Sequence, residues 1–183
     1  MSTQTLTTAA QFEAIARQAG PCELVRGEVI TLSPGGLEHN QIVANLHGLL
    51  WTWTRRTGLG RTMPGETGIV TGERPDTVRG ADVVYFSYER LPRDVTPAGF
   101  TRVAPNLVAE IVGHRQGWRE AVEKAGEYLR MGVELVWLVD AKSRRLHVYR
   151  PDCEPVVLNP EDTLQDDAVL PGFTCRVEEL FAS

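Results

Sequence analysis

The segment that decides the fold is residues 106–139, which read NLVAEIVGHRQGWREAVEKAGEYLRMGVELVWLV. It begins and ends with largely apolar runs, Asn106–Val112 and Leu135–Val139, whose length and composition are typical of buried strands. Between them, apolar residues recur every three or four positions across 117–131, which predicts a helix. A strand, a helix and a second strand in this order predict a right-handed crossover between two parallel strands.

The sequence on either side of this unit supplies the rest of a mixed sheet. Two short strands, 22–26 and 28–32, meet at Gly27 and predict a hairpin. The other predicted elements are helices at 8–19 and 37–56, strands at 61–71, 81–86 and 144–150, and a helical turn at 177–181. Residues 76–80 are predicted to form a loop, and residues 1–10 to be disordered. This order of elements predicts an α/β (α+β) fold with a mixed central β-sheet flanked by helices.

Length and composition indicate one soluble domain over residues 1–183. The chain is 42% hydrophobic and 23% charged, which is typical of a globular protein with a packed core. It contains no run of about 18 apolar residues that could span a membrane, and its N-terminus lacks the pattern of a secretory signal. The three cysteines form no CxxC pair, which argues against a zinc site and a disulfide framework. We therefore expect a cytoplasmic protein.

Charge is distributed unevenly along the chain. The net charge is −5, but residues 1–150 contain 18 basic and 16 acidic residues, whereas residues 151–183 contain 1 and 8. This balance gives no support for strong nucleic-acid binding, although it does not forbid it. The sequence has no Walker, Rossmann, HExxH or GxSxG motif, so nucleotide-cofactor and serine-nucleophile chemistry has no support.

Two carboxylates stand where a purely structural core would not place them. Asp82 opens the apolar run 82–86, and Glu110 lies inside the strand 106–112. A carboxylate buried in a strand costs several kcal/mol unless it is paired or binds a metal ion. Two of them on neighbouring strands would also repel each other. A bound Mg²⁺ would resolve both problems, because it prefers carboxylate oxygens.

Lys124 is one of only two lysines in the chain. At about 100° per residue, it falls at the edge of an apolar stripe on the predicted helix, beside Tyr128. The stripe consists of Trp118, Ala121, Val122, Ala125, Tyr128 and Leu129. A lysine at the edge of such a stripe can send its amine into a cleft. Near a metal-bound water, that amine could orient the water or accept its proton.

These residues, taken together, resemble the Uma-two family of restriction-endonuclease-like proteins in the PD-(D/E)xK superfamily. The resemblance extends over roughly residues 10–181 and is carried by Glu23–Glu28, Ser33–Pro34, His39, Ala81–Val83, Leu107–Ile111, Lys124–Tyr128 and Gly132–Asp140. It implies that Asp82 and Glu110 are the two acidic residues of the motif. Val112 occupies the position of the superfamily's strand lysine, so the resemblance places the lysine on the helix, at Lys124.

The resemblance also implies a mechanism, which is hydrolysis of a phosphodiester by a water activated by Mg²⁺ or Mn²⁺. Asp82, Glu110 and the carbonyl of Ile111 would hold the metal ion, and Glu23 would complete the acidic cluster. Lys124 would position the water. The expected substrate contacts are His39, Arg115 and Arg119, and the expected partners are nucleic acid, with DNA preferred, and a second copy in a homodimer.

Other interpretations of the same residues stay open. The chain could be a non-catalytic nucleic-acid-binding or protein-interaction module on this fold, or a metal-dependent hydrolase of another substrate. In the structural interpretation an arginine neutralises Glu110, Lys124 pairs with Glu120 at i−4, and His39 is a core histidine. In the catalytic interpretation, Glu23, Asp82, Glu110 and Lys124 converge in one open cleft.

Overall fold

The computed structural model describes residues 6–113 and 117–183 as a mixed sheet flanked by helices. The helices are α1 (Ala9–Ala19), α2 (Leu37–Thr57), α3 (Trp118–Arg130) and a final 3₁₀ helix (Val177–Phe181). The strands are β1 (Cys22–Val25), β2 (Glu28–Thr31), β3 (Gly60–Gly72), β4 (Thr77–Ser87), β5 (Leu107–Val112), β6 (Leu135–Asp140), β7 (Arg145–Tyr149), β8 (Val156–Leu158), β9 (Thr163–Asp166) and β10 (Leu170–Arg176). No helix among these residues is long and apolar enough to cross a membrane.

Eight strands form the main sheet, in the order β2-β1-β4-β5-β6-β7-β8, with β3 also paired to β4. Strands β5 and β6 are parallel, and the other neighbours in this sheet are antiparallel. The parallel pair is joined by α3, so the predicted crossover is confirmed. The predicted fold class, a mixed central sheet flanked by helices, is confirmed as well.

The sheet forks at β4. Strand β3 pairs with one edge of β4 along nearly its whole length. The other edge of β4 is shared, because its later half pairs with β5 up to Val83↔Ala109 while its first half meets β1 at Leu24↔Val78. Strands β5 and β1 therefore diverge between these two points. Backbone groups inside the fork lack a strand partner and must find other hydrogen-bond partners.

Side chains of β5 alternate between the two faces of the sheet. Leu107, Ala109 and Ile111 pack toward α2 and the 3₁₀ helix, in the larger core. Val108 and Val112 pack toward α3, in the second core. Glu110 lies between these two valines in the sequence and therefore faces α3, beneath the helix that carries Lys124.

Two element boundaries and the burial of one residue differ from those predicted from the sequence. The predicted loop 76–80 is wrong from Thr77 onward, because β4 begins there and pairs with both β1 and β3. Helix α1 begins at Ala9, within the stretch expected to be disordered, and residues 1–5 of that stretch lie outside the described part. Trp118, predicted to belong to the buried stripe of α3, is 37% exposed and rests on His147.

The acidic segment 151–183 is also more ordered than predicted. From the sequence, its residues Glu161, Asp162, Asp166 and Asp167 are typical of a solvated loop, but the segment contains β8, β9 and β10. Asp166, one of its acids, is buried and pairs with Arg150. This ion pair compensates a charge that would otherwise keep the segment in solvent.

Gly60 and Gly48 give a matched test of local packing. A methyl group at Gly60 would collide with the carbonyl oxygen of Phe86 and the ring of Tyr85, whereas one at Gly48, inside α2, would meet nothing. We expect Gly60→Ala to lower the free energy of unfolding by about 1–3 kcal/mol through overpacking. Gly48→Ala should raise it by about 0.5–1 kcal/mol through helix propensity. Urea unfolding of both variants measures the two effects, and equal effects would contradict the described β3–β4 contact.

Candidate functional site

Polar side chains replace the missing strand pairing inside the fork. The Gly80 N–H donates to Oε1 of Glu23 over 2.9 Å, and the Gly80 carbonyl accepts from Nζ of Lys124 over 2.7 Å. On the other branch, the Ile111 N–H donates to Oδ2 of Asp82 over 2.7 Å. The backbone groups that the fork leaves unpaired are therefore satisfied by the charged residues singled out from the sequence.

Lys124 lies at the centre of this arrangement. Its Nζ is 3.0 Å from Oε2 of Glu110 and 2.9 Å from Oε1 of Glu23, and all three residues are buried. The other Glu110 oxygen, Oε1, accepts from the Tyr128 hydroxyl over 2.7 Å. Lys124 thus pairs with two of the three predicted site carboxylates. Among the residues that the structure describes, it makes no pair with Glu120, and no arginine contacts Glu110.

Arg79 anchors the outer side of the cluster. Its guanidinium donates to Oε2 of Glu23 over 2.8 Å and makes a bidentate pair with Glu127 over 2.7 and 2.8 Å. Glu127 follows Lys124 by one turn of α3, so both residues lie on the face that covers the fork. This buried pair fixes Glu23, and through Glu23 it fixes the position of the Lys124 amine.

Asp82 joins α2 to the fork. Nε2 of His39, in the first turns of α2, is 3.3 Å from Oδ2 of Asp82, the same oxygen that accepts from Ile111. The hydrogen bond to Asp82 raises the pKa of His39 against the opposing effect of burial. His39 is partly exposed, whereas Asp82 is 6% exposed, so His39 lies between this carboxylate and solvent.

Glu66 belongs to the same neighbourhood, although it was not predicted from the sequence. It lies in a bulge of β3 opposite Asp82, where pairing shifts between Pro64 and Thr67, and its φ is 58°. Its carboxylate lies over Gly80, where an added Cβ would collide with it. Partial desolvation and the charge of Asp82 raise the pKa of Glu66. Bulges often direct a side chain toward an active site, and Gly65-Glu66 in mid-strand is the signal that could have revealed it.

Burial and pairing set the protonation of the central groups in opposite directions. Burial raises the pKa of Glu110 to about 8, with the charge of Asp82 adding to this shift and Lys124 opposing it. Burial alone would lower the pKa of Lys124, but the charges of Glu110 and Glu23 raise it above its usual value. The pKa of Glu23 is lowered because Lys124 and Arg79 outweigh its desolvation. Both shifts keep Lys124 and Glu23 charged as an ion pair, whereas the pKa of Glu110 lies near neutral pH.

One predicted substrate contact, Arg119, lies away from this cluster. Arg119 is exposed on α3 and donates to Glu123, its i+4 neighbour, over 2.9 Å. Arg115 lies outside the described residues, as does His114. The structure therefore brings together Glu23, Asp82, Glu110, Lys124 and His39, and it adds Arg79, Tyr128 and Glu66 to them.

The donor atoms suit a hard divalent cation with few protein ligands. Within residues 6–113 and 117–183, no three His, Cys, Asp or Glu side chains are grouped closely enough to hold a metal ion. Asp82 nevertheless precedes Val83, and Glu110 follows Ala109. Both residues therefore lie directly beyond the last β4–β5 pair, Val83↔Ala109, on adjacent strands. Oδ1 of Asp82 makes no hydrogen bond with any of these residues, since both Asp82 contacts use Oδ2. Mg²⁺ is commonly bound by one or two carboxylates and several waters, and the two residues fit that requirement.

Comparison with known proteins finds a matching family and similar solved structures. A sequence model of the family described as "Uma2: Putative restriction endonuclease" matches residues 9–178. The crystal structure of "a putative nuclease belonging to DUF820" from Anabaena variabilis ATCC 29413 is similar, with a TM-score of 0.79 and 20% sequence identity. The similarity covers 95% of this chain and 97% of that chain, and at this identity it supports the fold alone. No curated protein matches the sequence.

Proposed function

The chain belongs to the Uma2 family of restriction-endonuclease-like proteins, and from this premise we propose that it cleaves phosphodiester bonds with a divalent metal ion held by Asp82 and Glu110. Restriction-endonuclease-like families generally use divalent metal ions. Mg²⁺ and Mn²⁺ are the candidates, because the ligands are carboxylate oxygens. The expected substrate is nucleic acid, with DNA as the first to be tested.

One observation carries the proposal, which is the approach of Lys124 to Glu110 from a helix. The distance of 3.0 Å joins a lysine of α3 to the acid of β5, although no lysine stands in the strand itself. The combination of two acids and a lysine that the family resemblance requires is therefore assembled at the fork. Nothing in the packing of an apolar core requires this arrangement, since burying such charges is costly.

When bound, the metal ion would polarise the scissile phosphate and lower the pKa of a coordinated water. Asp82 and Glu110 would hold it, with the carbonyl of Ile111 as a third donor. The three N–H donors of Lys124 are held by Glu23, Glu110 and the Gly80 carbonyl, so Lys124 would contact the attacking water or a phosphate oxygen by exchanging one of these partners. His39, the partly exposed neighbour of Asp82, would contact the substrate, and Arg115 and Arg119 are proposed as further phosphate contacts. Arg119 would exchange Glu123 for a phosphate.

A second candidate function is a non-catalytic binding module on the same fold. It is favoured by the completeness of the fork, where Glu23, Asp82 and Lys124 satisfy the backbone of Gly80 and Ile111 without a metal ion. In that case the acidic centre would serve folding alone. The two candidates differ in whether Asp82 and Glu110 bind a metal ion.

Metal titration separates these candidates. We expect Mn²⁺ to bind the full-length protein in isothermal titration calorimetry, and we expect this binding to be lost in Asp82→Asn and Glu110→Gln. Glu73→Gln removes an exposed carboxylate paired with Arg102 and should bind Mn²⁺ like the unmodified protein. Protein that binds should then cleave DNA or RNA in a plasmid and oligonucleotide screen with Mn²⁺. Absence of Mn²⁺ binding, with and without nucleic acid, would leave the binding-module function.

A further inference from the structure

The turn between β6 and β7 presents three cations to solvent. Lys142, Arg144 and Arg145 are all exposed, and none of them makes an ion pair with a described residue. Most surface arginines of an acidic chain have carboxylates available, and this chain carries a net charge of −5. Three unpaired cations in one four-residue turn are therefore a local positive site.

The turn holds these cations in a fixed position. Asp140 accepts hydrogen bonds from the backbone N–H groups of Lys142 and Ser143, over 3.0 and 3.3 Å, and from the Ser143 hydroxyl. Asp140, the one acidic residue of the turn, is therefore already engaged in hydrogen bonds within the turn. Arg144 has φ 55°, a conformation that glycine or asparagine adopts at lower cost. Its guanidinium lies over the Phe181 ring, 5.2 Å from the ring centroid, so Lys142 and Arg145 are the two cations of the turn without a described partner.

An aromatic platform lies beside the turn. The Trp118 ring is tilted against His147, with 4.4 Å between ring centroids and 57° between ring planes. His147 follows Arg145 by two residues on β7. Trp118 is 37% exposed, so part of its indole face or edge remains open to a ligand. A planar ring next to unpaired cations is the combination that binds bases and phosphates together.

Strand register places this platform relative to the candidate centre. Glu110 pairs with Leu138, and Leu138 pairs with His147, so the three residues form one row across the sheet. Leu146 and Val148 pack on the α2 side, so His147 faces α3, as Glu110 does. The row itself is covered by α3, because Leu138 is fully buried in the second core. The link to the centre is the edge of the sheet, where Asp140 at the start of the turn pairs with Val112, two residues after Glu110.

We propose that Trp118 and the turn Lys142–Arg145 form a track for a single-stranded stretch of nucleic acid that leaves the Asp82–Glu110 centre. The inference rests on the proposed nuclease function, because it takes that centre as the start of the track. Lys142, Arg144 and Arg145 contact backbone phosphates, and the Trp118 ring stacks on an unpaired base. The stacking favours single strands over duplex, since bases in a duplex are stacked on each other.

Fluorescence anisotropy with labelled 20-nucleotide probes tests the track. The probes are single-stranded DNA, single-stranded RNA and duplex DNA of one sequence, in buffer with a chelator so that no cleavage occurs. Trp118→Ala is expected to weaken single-strand binding about tenfold and duplex binding less. Lys142→Ala/Arg145→Ala should also weaken it about tenfold and reduce the slope of log K against log salt by about 1.4, for two lost contacts.

The control variant is Arg55→Ala/Arg93→Ala, which removes the same charge from the opposite end of the molecule. Arg55 and Arg93 stack on Trp51 and Tyr88, near the C-terminal ends of α2 and β4. We expect this variant to bind like the unmodified protein, and circular dichroism confirms that each variant is folded. Equal weakening by control and turn variants overturns the track, and so does binding to anionic phospholipid vesicles without binding to any probe.

The same set of proteins separates the track from the nuclease function. If the turn variants lose single-strand binding but the unmodified protein cleaves no probe with Mn²⁺, the track is supported and the nuclease function fails. If the unmodified protein cleaves the probes and the variants cleave them with unchanged KM, the nuclease function is supported and the track is overturned. The DNA and RNA probes show which nucleic acid is preferred.

Discussion

Replacing Glu110 with glutamine is expected to reduce metal-dependent cleavage of nucleic acid by at least about a hundredfold. The metal ion would lose a carboxylate ligand, and the charge that develops in the transition state would lose part of its stabilisation. The same change should leave the free energy of unfolding unchanged or higher. Glutamine retains an acceptor for Lys124 or Tyr128, and it removes a carboxylate that is 3% exposed and costly to ionise. Opposite effects on activity and stability are typical of a residue kept for function.

The stability effect of Glu110 should depend on pH with a definite sign. Burial raises the pKa of Glu110 from 4.5 in the unfolded chain to about 8 in the folded protein. The folded state therefore binds the proton more tightly, and the resulting stability is fully present below pH 4.5 and lost as pH rises through about 8. Glutamine cannot titrate, so Glu110→Gln should gain stability relative to the unmodified protein between these pH values. Thermal unfolding at pH 5, 7 and 8.5 measures the difference.

Glu123→Gln is the matched control for Glu110→Gln. Glu123 lies on the outer side of α3, where it pairs with the exposed Arg119. Its replacement should leave cleavage within about twofold of the unmodified protein and change stability by no more than about 0.5 kcal/mol. Cleavage that survives in Glu110→Gln at the original rate would place the chemistry elsewhere in the chain or in a contaminant.

The sequence was sufficient to predict most of the helices and strands, and to assign Asp82 and Glu110 to strands. Apolar periodicity predicted the β5–α3–β6 unit, and the resemblance to the Uma-two family is confirmed by the family match. It could not predict the fork, since the divergence of β5 and β1 depends on which strands share an edge of β4. Without the fork, residues 77–80 look like a polar loop, and the partners of Glu23 cannot be deduced.

Residues that act through long-range contacts were beyond local patterns. Arg79 meets Glu127 from a segment 48 positions away, so neither residue carries a signal of its partner. Glu66 reaches the centre only because a bulge turns it toward Gly80. Tyr128 was assigned to packing, which is correct for its ring, but its hydroxyl also donates to Glu110. The apolar stripe was sufficient to predict the helix. The hydrogen bonds made by the polar ends of its side chains left no pattern in the sequence.

One set of side chains serves both the fold and the candidate chemistry. Lys124 completes the hydrogen bonding of the Gly80 carbonyl and contacts two buried acids, so the fold requires it whether or not it also takes part in catalysis. Loss of activity in a Lys124 variant would therefore not by itself identify a catalytic role. Stability has to be measured beside activity, and the size of its loss is the second large effect expected.

Lys124→Met is expected to lower the free energy of unfolding by about 3–5 kcal/mol, because it removes a buried cation that holds Glu23, Glu110 and the Gly80 carbonyl at once. Glu23 keeps Arg79 as its partner, whereas the Gly80 carbonyl loses its donor. For a chain of 183 residues, this corresponds to a fall in Tm of roughly 6–20 °C. Lys142→Met, the same change at the chain's other lysine, is exposed and should alter stability by no more than about 0.5 kcal/mol.

The double variant Glu110→Gln/Lys124→Met shows which interaction causes the loss. If the uncompensated charge of Glu110 dominates, removing that charge should restore at least about 1 kcal/mol, and the two substitutions will not be additive. If the orphaned Gly80 carbonyl dominates, the double variant will be as unstable as Lys124→Met, because glutamine at position 110 does not replace that donor. We expect the second outcome at pH 7, because burial keeps Glu110 largely protonated there, whereas the buried Gly80 carbonyl loses its donor at any pH. It follows that the fork itself requires the lysine on α3, whether or not a substrate is bound.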